Sequence, residues 1–595
     1  MRVGNRKFSL AGLVVTLGTI ALLAAGCGSG GQNVANNDKA KDQTLKLTWA
    51  SGGGTKDITT LDPAECYDSS CIPLTNILFD SLVTLDKNNK IIPWAAKSWT
   101  TQDGGKTYVF TLQPDQKFSD GTPVKASDFA WSMDRQFNPC TGFVNEGTSS
   151  LFINPAASAA IVDADKFSGE TCKNGAVEGA LTTLIGDSII PDDSANTLTI
   201  KFSQPASYIL GSLNLPFSAA LEKSVLGTPT PADLGHDFSW RDNLTKGATG
   251  MGGSGMFYVS KWDHNGILTL KPNPNWWGIK QGMKPNFSEV DFNIFTSTDT
   301  LYQTYQSDQT YAFSDGIPVD QIAAAKGQPD YHEYPVLSVE TIGFNWKVAP
   351  FDNLSVRQAF CLAMNRDTLN SSVLKGASVP SWHLVPPGMP GYNESLKGIN
   401  GAPTAGDQAK AKQLWQSYIA TLGGKPVPSV TLSFNVASAS QKNLAEAYQA
   451  TWKELFPEAN VTISTVAWAQ QVQTLFGHTM QLGRFGWSAD YPDPQDFLSL
   501  LYETGAPNDY FEASVPQADA LLKQADAIFD DSQQAQRMSL YNQAEQLLVD
   551  NVAVCPMFTG NGHYRLRTWV KGGYIISPNG NVPNPGWVSG YIATH

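Results

Sequence analysis

Hydrophobic and polar residues alternate along several short segments of the chain, and this period-two pattern predicts β-strands. Between these segments, hydrophobic residues recur at the three- and four-residue spacing of amphipathic helices, mainly after residue 340. The predicted strands cover residues 45–50, 197–205, 339–347, 430–436, 461–468 and 552–558, and the predicted helices cover residues 355–374, 441–455, 513–529 and 532–550. Strands and helices that alternate in this way predict mixed α/β lobes.

A glycine-rich stretch, TGMGGSGMF at residues 249–257, carries the G-x-G-x-x-G spacing of a dinucleotide-binding loop. Such a loop requires a buried strand before it and a helix after it. The sequence before it is polar, and the sequence after it alternates around Asn265 and Gly266, a pattern that predicts a β-hairpin. The stretch therefore argues against nucleotide binding, and we expect its glycines to allow an unusual backbone path at the start of a strand.

Composition and charge narrow the class of protein. The chain has 595 residues, too many for one hydrophobic core, and 42% of them are hydrophobic, as in folded globular proteins. Charged residues make up only 16%, against about a quarter in an average protein, and the net charge is −13. An acidic, weakly charged chain without a basic block does not suit nucleic acid, so we expect no nucleic-acid partner.

The N-terminus has the layout of a secretory signal. Basic residues occur within the first seven positions, an uncharged apolar run covers residues 8–25, and small residues follow. The apolar run is borderline in length for a membrane-spanning anchor, which is the alternative interpretation. We predict a signal peptide over residues 1–26.

The sequence AAGC, which ends at Cys27, resembles the lipobox of bacterial lipoproteins, in which the cysteine is lipidated. Ala24 stands where that motif usually has leucine. Residues 27–43 have no apolar periodicity and predict a flexible tether. No later segment of the sequence is long and apolar enough to span a bilayer. We therefore expect a lipid-anchored body on the outer face of the bacterial cytoplasmic membrane.

The remaining cysteines are even in number, which in an extracytoplasmic protein suggests disulfides. Sequence proximity predicts the disulfides Cys66–Cys71 and Cys140–Cys172. Cys361 and Cys555 are left over, and they could form a third disulfide or remain two buried free thiols. The sequence has no C-x-x-C pair and no His/Cys cluster, so we predict neither a metal site nor a cofactor.

Five stretches, in their order and spacing, resemble the extracellular solute-binding proteins of peptide and nickel ABC importers, known as solute-binding family 5. They are SLVTLDKNNKIIPWAAKSWTTQDGGKTYVFTLQPDQKFSDGTPVKASDFAWSM, GSGMFYV, PNPNWWG, FDNLSVRQAFCLAMNRD and GWSADYPDPQDF. The resemblance runs from about residue 45 to the C-terminus. In the family the GSGMF position usually reads G-T-G-P-Y, so Met256 replaces a proline here.

The resemblance implies an α/β, two-lobed periplasmic-binding-protein-like fold (type II, cluster C) with three domains and a hinged ligand cleft. Domain I is discontinuous and would comprise residues 44–94, 206–339 and 553–595. Domain II would be an insertion over residues 95–205, and domain III, the second lobe, would comprise residues 340–552.

The resemblance also identifies candidate ligand-binding residues in RFGWSADYPDPQDF, residues 484–497. Asp490 matches the aspartate of a W-x-x-D-Y pattern that pairs with the peptide α-ammonium in peptide-binding members; the alternative is that it caps the following turn. Trp487 and Tyr491 would be flat apolar walls or core residues. Arg484 would bind a ligand carboxylate or form a structural ion pair. An enclosed ammonium needs a carboxylate partner, because an unpaired buried charge is strongly unfavourable.

The same stretch does not predict a metal site. Asp490, Asp493 and Asp496 are spaced by three, but Pro492 and Pro494 prevent a helix there, so the carboxylates do not line one helical face. The stretch also lacks the glycine and the final glutamate of an EF-hand loop.

The resemblance implies a binding protein that captures peptides between two lobes and delivers them to an ABC permease and ATPase complex in the membrane. The same fold could instead bind another small solute, such as an oligosaccharide, a metal chelate or an opine-like compound, or serve as a surface signalling lipoprotein. We find no HExxH motif, no nucleophile elbow and no Cys/His signature, so we expect no enzyme. We expect a monomer.

Overall fold

The computed structural model describes residues 38–50, 56–58, 60–64, 66, 70–136, 172–173, 176–177, 183–226, 253–435, 439–466, 470–471, 474–475, 477–506, 508–573, 575 and 584–595. The chain divides into two compact units, Met1–Lys39 and Ala40–His595, and the fold below is that of the second. The predicted signal peptide, Cys27 and most of the predicted tether lie outside the described residues.

Short strands, many of them rich in β-branched and aromatic residues, form the framework of the second unit. In chain order they are β1 (Thr44–Ala50), β2 (Val83–Leu85), β3 (Ile91–Pro93), β4 (Ala96–Gln102), β5 (Thr107–Leu112), β6 (Cys172–Lys173), β7 (Ala176–Val177), β8 (Ile189–Asp192), β9 (Thr197–Lys201), β10 (Phe257–Asp263), β11 (Ile267–Pro272), β12 (Glu289–Phe295), β13 (Tyr311–Ser314), β14 (Tyr331–Phe344), β15 (Val379–Pro380), β16 (Thr431–Asn435), β17 (Thr462–Val466), β18 (Leu482–Ser488), β19 (Cys555–Leu566), β20 (Val570–Lys571) and β21 (Tyr591–Ile592).

Helices cover the strands and are longest in the second half of the chain. In chain order they are α1 (Ile72–Leu78), α2 (Ala126–Gln136), α3 (Ile209–Ser212), α4 (Lys223–Leu226), α5 (Thr298–Ser307), α6 (Ile322–Ala325), α7 (Leu354–Leu362), α8 (Arg366–Ser372), α9 (Gln408–Thr421), α10 (Ala439–Leu455), α11 (Ser499–Tyr502), α12 (Pro516–Asp526), α13 (Gln534–Asp550) and α14 (Asn584–Ser589).

The largest sheet among the described residues has the strand order β10-β11-β12-β1-β13-β19-β14-β18-β16-β17, with β15 paired to β19. β1 lies between two parallel neighbours, β12 and β13. Its side chains Leu45, Leu47 and Trp49 are buried, which is the alternation that predicts a strand at residues 45–50. The structure confirms this strand as β1.

The buried hydrophobic residues fall into three extensive cores. The first packs around β1 and β10 to β12. The second packs around β14, β16 and β18 together with α7, α9, α10 and α13. The third lies between α2 and a four-stranded sheet of order β4-β5-β9-β8 and extends along the chain to Ala220, beyond residue 205. The three-domain division drawn from the sequence stays a prediction.

The long antiparallel pair of β14 and β19 connects the first core to the second. At one end, Tyr334 and Tyr564 pack against the first core. At the other end, Ile342 lies opposite Cys555, and both belong to the second core. The pairing shifts register near its middle, so the two halves of the strand pair are not one regular ladder.

The close approach of two backbone segments at Gly255 explains why the glycine-rich stretch has glycine at this position. The N–H of Gly255 donates to the carbonyl oxygen of Leu78 at 2.9 Å, and a Cβ at this position would lie 2.5 Å from the Leu78 carbonyl carbon. Only glycine therefore allows the two backbones to approach so closely. The chain continues into β10, which pairs with β11 around Gly266, so the predicted hairpin is confirmed and no helix begins at Gly255.

The prediction of one helix over residues 355–374 is wrong, because the structure has two. α7 ends at Leu362 and α8 begins at Arg366. The side chain of Asn365 accepts a hydrogen bond from the N–H of Thr368 at 2.9 Å. Asparagine is favoured at the N-cap position, where its side chain satisfies a free backbone donor, so the helical pattern restarts there.

Disulfides join two of the cysteine pairs, Cys66–Cys71 and Cys361–Cys555. The second of these bonds connects α7 to β19, and both of its cysteines are fully buried. Cys140 lies outside the described residues, so its bond to Cys172 stays a prediction.

Candidate functional site

β18 carries two of the candidate residues, Arg484 and Trp487, on opposite faces. It pairs antiparallel with β14 in regular register, with Ile342 opposite Arg484 and Val339 opposite Trp487. Because side chains alternate along a strand, residues three apart point to opposite sides of the sheet. The structure therefore places Arg484 on the other face of the sheet from Trp487.

A carboxylate of the protein itself engages Arg484. Its Nη2 lies 2.5 Å from Oε1 of Glu340 on the neighbouring strand β14, and both side chains are partly exposed. Gly486 lies opposite Glu340 in the ladder and leaves room for this pair. A ligand carboxylate at Arg484 would have to compete with Glu340.

The turn after β18 is organised by Asp493. Its side chain caps the short 3₁₀ turn Pro494–Asp496 by accepting a hydrogen bond from the N–H of Gln495 at 3.0 Å. The same carboxylate binds Arg537 of α13 through two hydrogen bonds of 2.7 Å. Capping of this turn therefore belongs to Asp493, and the side chain of Asp490 is left for another role.

Asp490 and Asp496 lie next to each other inside this turn. Oδ2 of Asp496 accepts the backbone N–H of Asp490 at 3.0 Å and the indole N–H of Trp487 at 3.3 Å. Asp496 is 0% exposed, and its Oδ1 has no hydrogen-bond partner among the described residues. The structure thus brings Trp487 and Asp490 together through a carboxylate that the sequence analysis did not assign to ligand binding.

Burial shifts the titration of both carboxyl groups. Asp490 keeps some accessible surface, yet the surrounding protein atoms desolvate its carboxyl group and raise its pKa to about 6. Desolvation, followed by repulsion from the charge of Asp490, raises the pKa of Asp496 well above its usual range. Two carboxyl groups this close titrate as a pair rather than independently.

Tyr491 is a core residue rather than an open wall. It is 5% exposed and belongs to the third core. Its ring stacks on that of Tyr208, with centroids 6.0 Å apart, and a Cβ at Gly211 would lie 3.1 Å from the Tyr491 Cβ. Its hydroxyl donates to the side chain of Gln495. Trp487 is only half-buried, so it is the aromatic side chain of the turn with surface left for a ligand.

The residues that sequence reasoning missed are those that act through side-chain contacts with distant segments. Arg537, which holds Asp493, also donates to the hydroxyl of Tyr541, and that hydroxyl donates to Asp526. The sequence spacing of Asp496 from Asp490 gave no signal of their contact, because a short 3₁₀ turn that begins at Pro494 has no regular periodicity. Only Arg537, a lone cation in a predicted helix, could have been noted as in need of a partner.

Two classes of feature are absent from the part of the chain that the structure describes. It contains no group of three or more His, Cys, Asp or Glu side chains placed to hold a metal ion. It also contains no helix with the length and apolar character needed to cross a bilayer.

The family of the chain follows from comparison with known proteins. The model of the family described as bacterial extracellular solute-binding proteins, family 5 Middle, matches residues 90–509. The chain belongs to family 5. Members of family 5 are extracellular transport receptors and not enzymes.

Family 5 relatives align with nearly the whole chain. The oligopeptide-binding protein OppA of Bacillus subtilis is 24% identical over 583 residues, which cover 96% of this chain and 97% of OppA. The structure of the Escherichia coli murein tripeptide binding protein MppA superposes with a TM-score of 0.74 at 22% identity, covering 94% of this chain and 100% of MppA. Haemophilus influenzae OppA in complex with the peptide RPPGFSPFR superposes with a TM-score of 0.71 at 20% identity, covering 93% and 100%. The chain therefore has the two-lobed α/β fold of periplasmic binding proteins.

Proposed function

We propose that this family 5 protein is a peptide receptor in which Asp490 pairs with the α-ammonium group of the peptide. The observation that carries the proposal is a desolvated carboxylate without a cation. The carboxylate of Asp490 has no ion-pair partner among the described residues, since the nearby arginines bind Glu340 and Asp493, and desolvation raises its pKa to about 6. A carboxylate enclosed in this way is stabilised by a cationic ligand group, because ion pairing offsets the loss of hydration.

The neighbouring arginines support this assignment because other carboxylates occupy them. Arg484 is paired with Glu340, and Arg537 is paired with Asp493 through both terminal nitrogens. Neither is placed to neutralise Asp490, so the positive charge that Asp490 requires comes from the ligand in this proposal.

The peptide backbone would be held by main-chain hydrogen bonds, which do not depend on side-chain identity and so allow broad specificity. Trp487 would offer an apolar face beside the ammonium site, since it is half-buried and is oriented by its hydrogen bond to Asp496. Tyr491 would act indirectly, because its stacking on Tyr208 fixes the residue next to Asp490. The curated relatives include proteins named as oligopeptide-binding and dipeptide-binding, which agrees with a peptide ligand.

In the full proposal the protein is anchored by a lipid on Cys27, works as a monomer outside the cytoplasmic membrane, and delivers its peptide to an ABC permease and ATPase complex. Closure of two lobes around the ligand would expose a different surface to the permease than the open form does. The basis for the anchor is the AAGC sequence after an apolar run.

Mass spectrometry of the purified chain tests the ligand class. The protein is purified without refolding and then denatured, and the released small molecules are identified. Short peptides are the expected result. A single sugar, metal chelate or opine-like compound would contradict the peptide assignment and with it the role of Asp490.

A matched pair of variants tests Asp490. An equimolar pool of synthetic peptides, from dipeptides to hexapeptides, is offered with free and with acetylated amino termini, and the best-retained peptide is titrated by calorimetry. We expect Asp490→Asn to lower its affinity at least about 30-fold, equivalent to about 2 kcal/mol. Asp320→Asn, which removes an exposed carboxylate elsewhere, is the control and should leave affinity unchanged. Wild-type affinity in Asp490→Asn, or equal retention of acetylated peptides, would refute the assignment.

A further inference from the structure

Asp496 is a buried acid whose presence the peptide-binding proposal does not by itself explain. Its side chain is inaccessible to water. One carboxyl oxygen accepts the backbone N–H of Asp490 and the indole N–H of Trp487. The other oxygen has no hydrogen-bond partner among the described residues. An ionised carboxylate with a bare, buried oxygen is strongly unfavourable, so this oxygen needs either a cation or a proton.

The charges around the turn do not supply a cation. The titratable and charged groups that face it, from its own residues and from the elements packed against it, are Asp490, Asp493, Tyr491, Tyr208, Glu503, Asp526, Arg537 and Tyr541. Arg537 is the arginine in this set and is bound to Asp493, whereas Arg484 lies on the other face of the sheet and is bound to Glu340. The nearest charged neighbour of Asp496 is thus another acid, Asp490, which disfavours a second negative charge.

We propose that Asp496 is a neutral, protonated acid that positions Asp490, so that the two side chains together present one negative charge to the ligand. The proposal rests on the peptide-binding role of Asp490 and adds a specificity-determining residue to it. In this arrangement Asp496 accepts two hydrogen bonds through Oδ2 and carries its proton on Oδ1. Asp496 positions Asp490 through the hydrogen bond that its Oδ2 accepts from the Asp490 backbone N–H.

The charge count decides what the site selects. A pair that holds one proton carries a charge of −1, and one ammonium group brings the total to zero. If both acids were ionised, one ammonium would leave a buried net charge of −1, and a dication would be favoured instead. The proton stays on Asp496 when the peptide binds at neutral pH, so binding neither takes up nor releases a proton there. The site therefore prefers ligands with a single amine at this position.

Infrared difference spectroscopy tests the protonation state without any ligand. The spectrum of Asp496→Asn is subtracted from that of the wild-type chain at about pH 7, where an ordinary aspartate is fully ionised. We expect the C=O stretch of a protonated, buried carboxylic acid, which only the wild type shows. A difference spectrum with carboxylate bands alone would overturn the inference.

Peptide affinity provides the second test. An asparagine amide keeps the acceptor oxygen and supplies an N–H donor in place of the O–H, so Asp496→Asn should bind the best-retained pool peptide within about threefold of wild type. Asp496→Leu has a similar size but lacks both functions, and we expect it to bind at least tenfold more weakly. A more than tenfold loss in Asp496→Asn, at an unchanged melting temperature, would show that the charge of Asp496 is needed and would overturn the inference.

The two proposals fail in different ways. If Asp490→Asn binds peptide as well as the wild type does, the peptide anchor is wrong, whereas the infrared result on the ligand-free chain still reports the protonation of Asp496. If Asp490→Asn loses binding but the infrared band is missing, the anchor stands and only the role of Asp496 is wrong. Should Asp496→Leu fail to fold, the infrared measurement and Asp496→Asn still decide the matter.

Discussion

The rings of Tyr208 and Tyr491 lie nearly parallel in an offset stack, with centroids 6.0 Å apart and an interplanar angle of 11°. Tyr208 immediately precedes α3 and belongs to the third core, whereas Tyr491 follows β18 of the large sheet. A second contact lies nearby, because the hydroxyl of Ser207 donates to the carbonyl oxygen of Asp526 at 3.3 Å. The residue after Asp490 is therefore fixed by a segment that is distant in sequence.

The tyrosine stack should stabilise both the fold and the proposed ligand site. Tyr491→Ala removes a fully packed aromatic ring and should lower the free energy of unfolding by about 3–5 kcal/mol, as measured by chemical denaturation. A double-mutant cycle with Tyr208→Ala should give a coupling energy of about 0.5–1.5 kcal/mol between the rings. Strictly additive losses would mean that the rings do not stabilise each other.

The buried pair of Asp493 and Arg537 should be far more important than an exposed one. The side chain of Arg537 is 2% exposed, so Arg537→Ala leaves Asp493 without its partner and should cost about 3–5 kcal/mol in unfolding free energy. The control is Lys280→Ala, which breaks the exposed ion pair with Asp115 and should change stability too little to measure. Equal losses in the two variants would contradict the role given to Arg537.

Peptide affinity should fall in acid. The Asp490 pKa is raised to about 6 by desolvation, and only the ionised form pairs with an ammonium group. Between about pH 6 and about pH 7.5 affinity should be nearly constant, because the peptide α-ammonium loses its proton only at about pH 8. Below about pH 6 protons compete with the peptide, so affinity should drop by up to about tenfold per pH unit. Calorimetric titrations across this range measure the profile. A flat profile down to about pH 4.5 would mean that an ordinary carboxyl group, or none, binds the ligand.

Ionisation of Asp490 should favour peptide binding but should lower the stability of the ligand-free fold. A carboxyl group whose pKa is higher in the folded chain than in the unfolded chain opposes folding above the folded value and no longer does so below the unfolded value. Asp490→Asn should therefore raise the melting temperature at about pH 7, and the gain should vanish near pH 4. A melting temperature that falls equally at both pH values would show that Asp490 stabilises the fold.

The two described disulfides should differ in their contribution to stability. In the chain-entropy model, stabilisation grows with the length of the closed loop, giving about 2 kcal/mol for the Cys66–Cys71 bond and about 5 kcal/mol for the Cys361–Cys555 bond, whose partners are 5 and 194 residues apart. Replacing both cysteines of a pair by alanine, followed by thermal unfolding, compares them. A larger loss from the short loop would show that packing, rather than chain entropy, dominates.

Local pattern was sufficient for many elements of the fold. The alternation at residues 45–50 gave β1, and the turn at Gly266 gave the β10–β11 hairpin, because both signals depend on side chains within a few residues of one another. The prediction of a single helix over residues 355–374 was wrong for a related reason. Its apolar period continues through the break after Leu362, and the hydrogen bond from Thr368 to Asn365 begins a second helix.

The sequence predicted only part of the candidate site. The motif around Asp490 pointed to one turn, but the roles of its members depend on what lies opposite them. Tyr491 is buried because Tyr208 and Gly211 pack against it. Arg484 is engaged because the register of β14 and β18 places Glu340 beside it. None of these contacting residues is near Tyr491 or Arg484 in sequence.

The periodicity of the sequence by itself determined the alternation of strands and helices, and the resemblance of its motifs to family 5 indicated the class of protein and the stretch that carries the candidate site. Only the tertiary structure decided that Asp496 lies against Asp490, and that one of its oxygens has no partner among the described residues. The physical reason is that burial and electrostatic interaction fall off over a few ångströms in space. How close the two acids lie is therefore decided by the conformation of the turn that holds them, and no spacing along the chain records it.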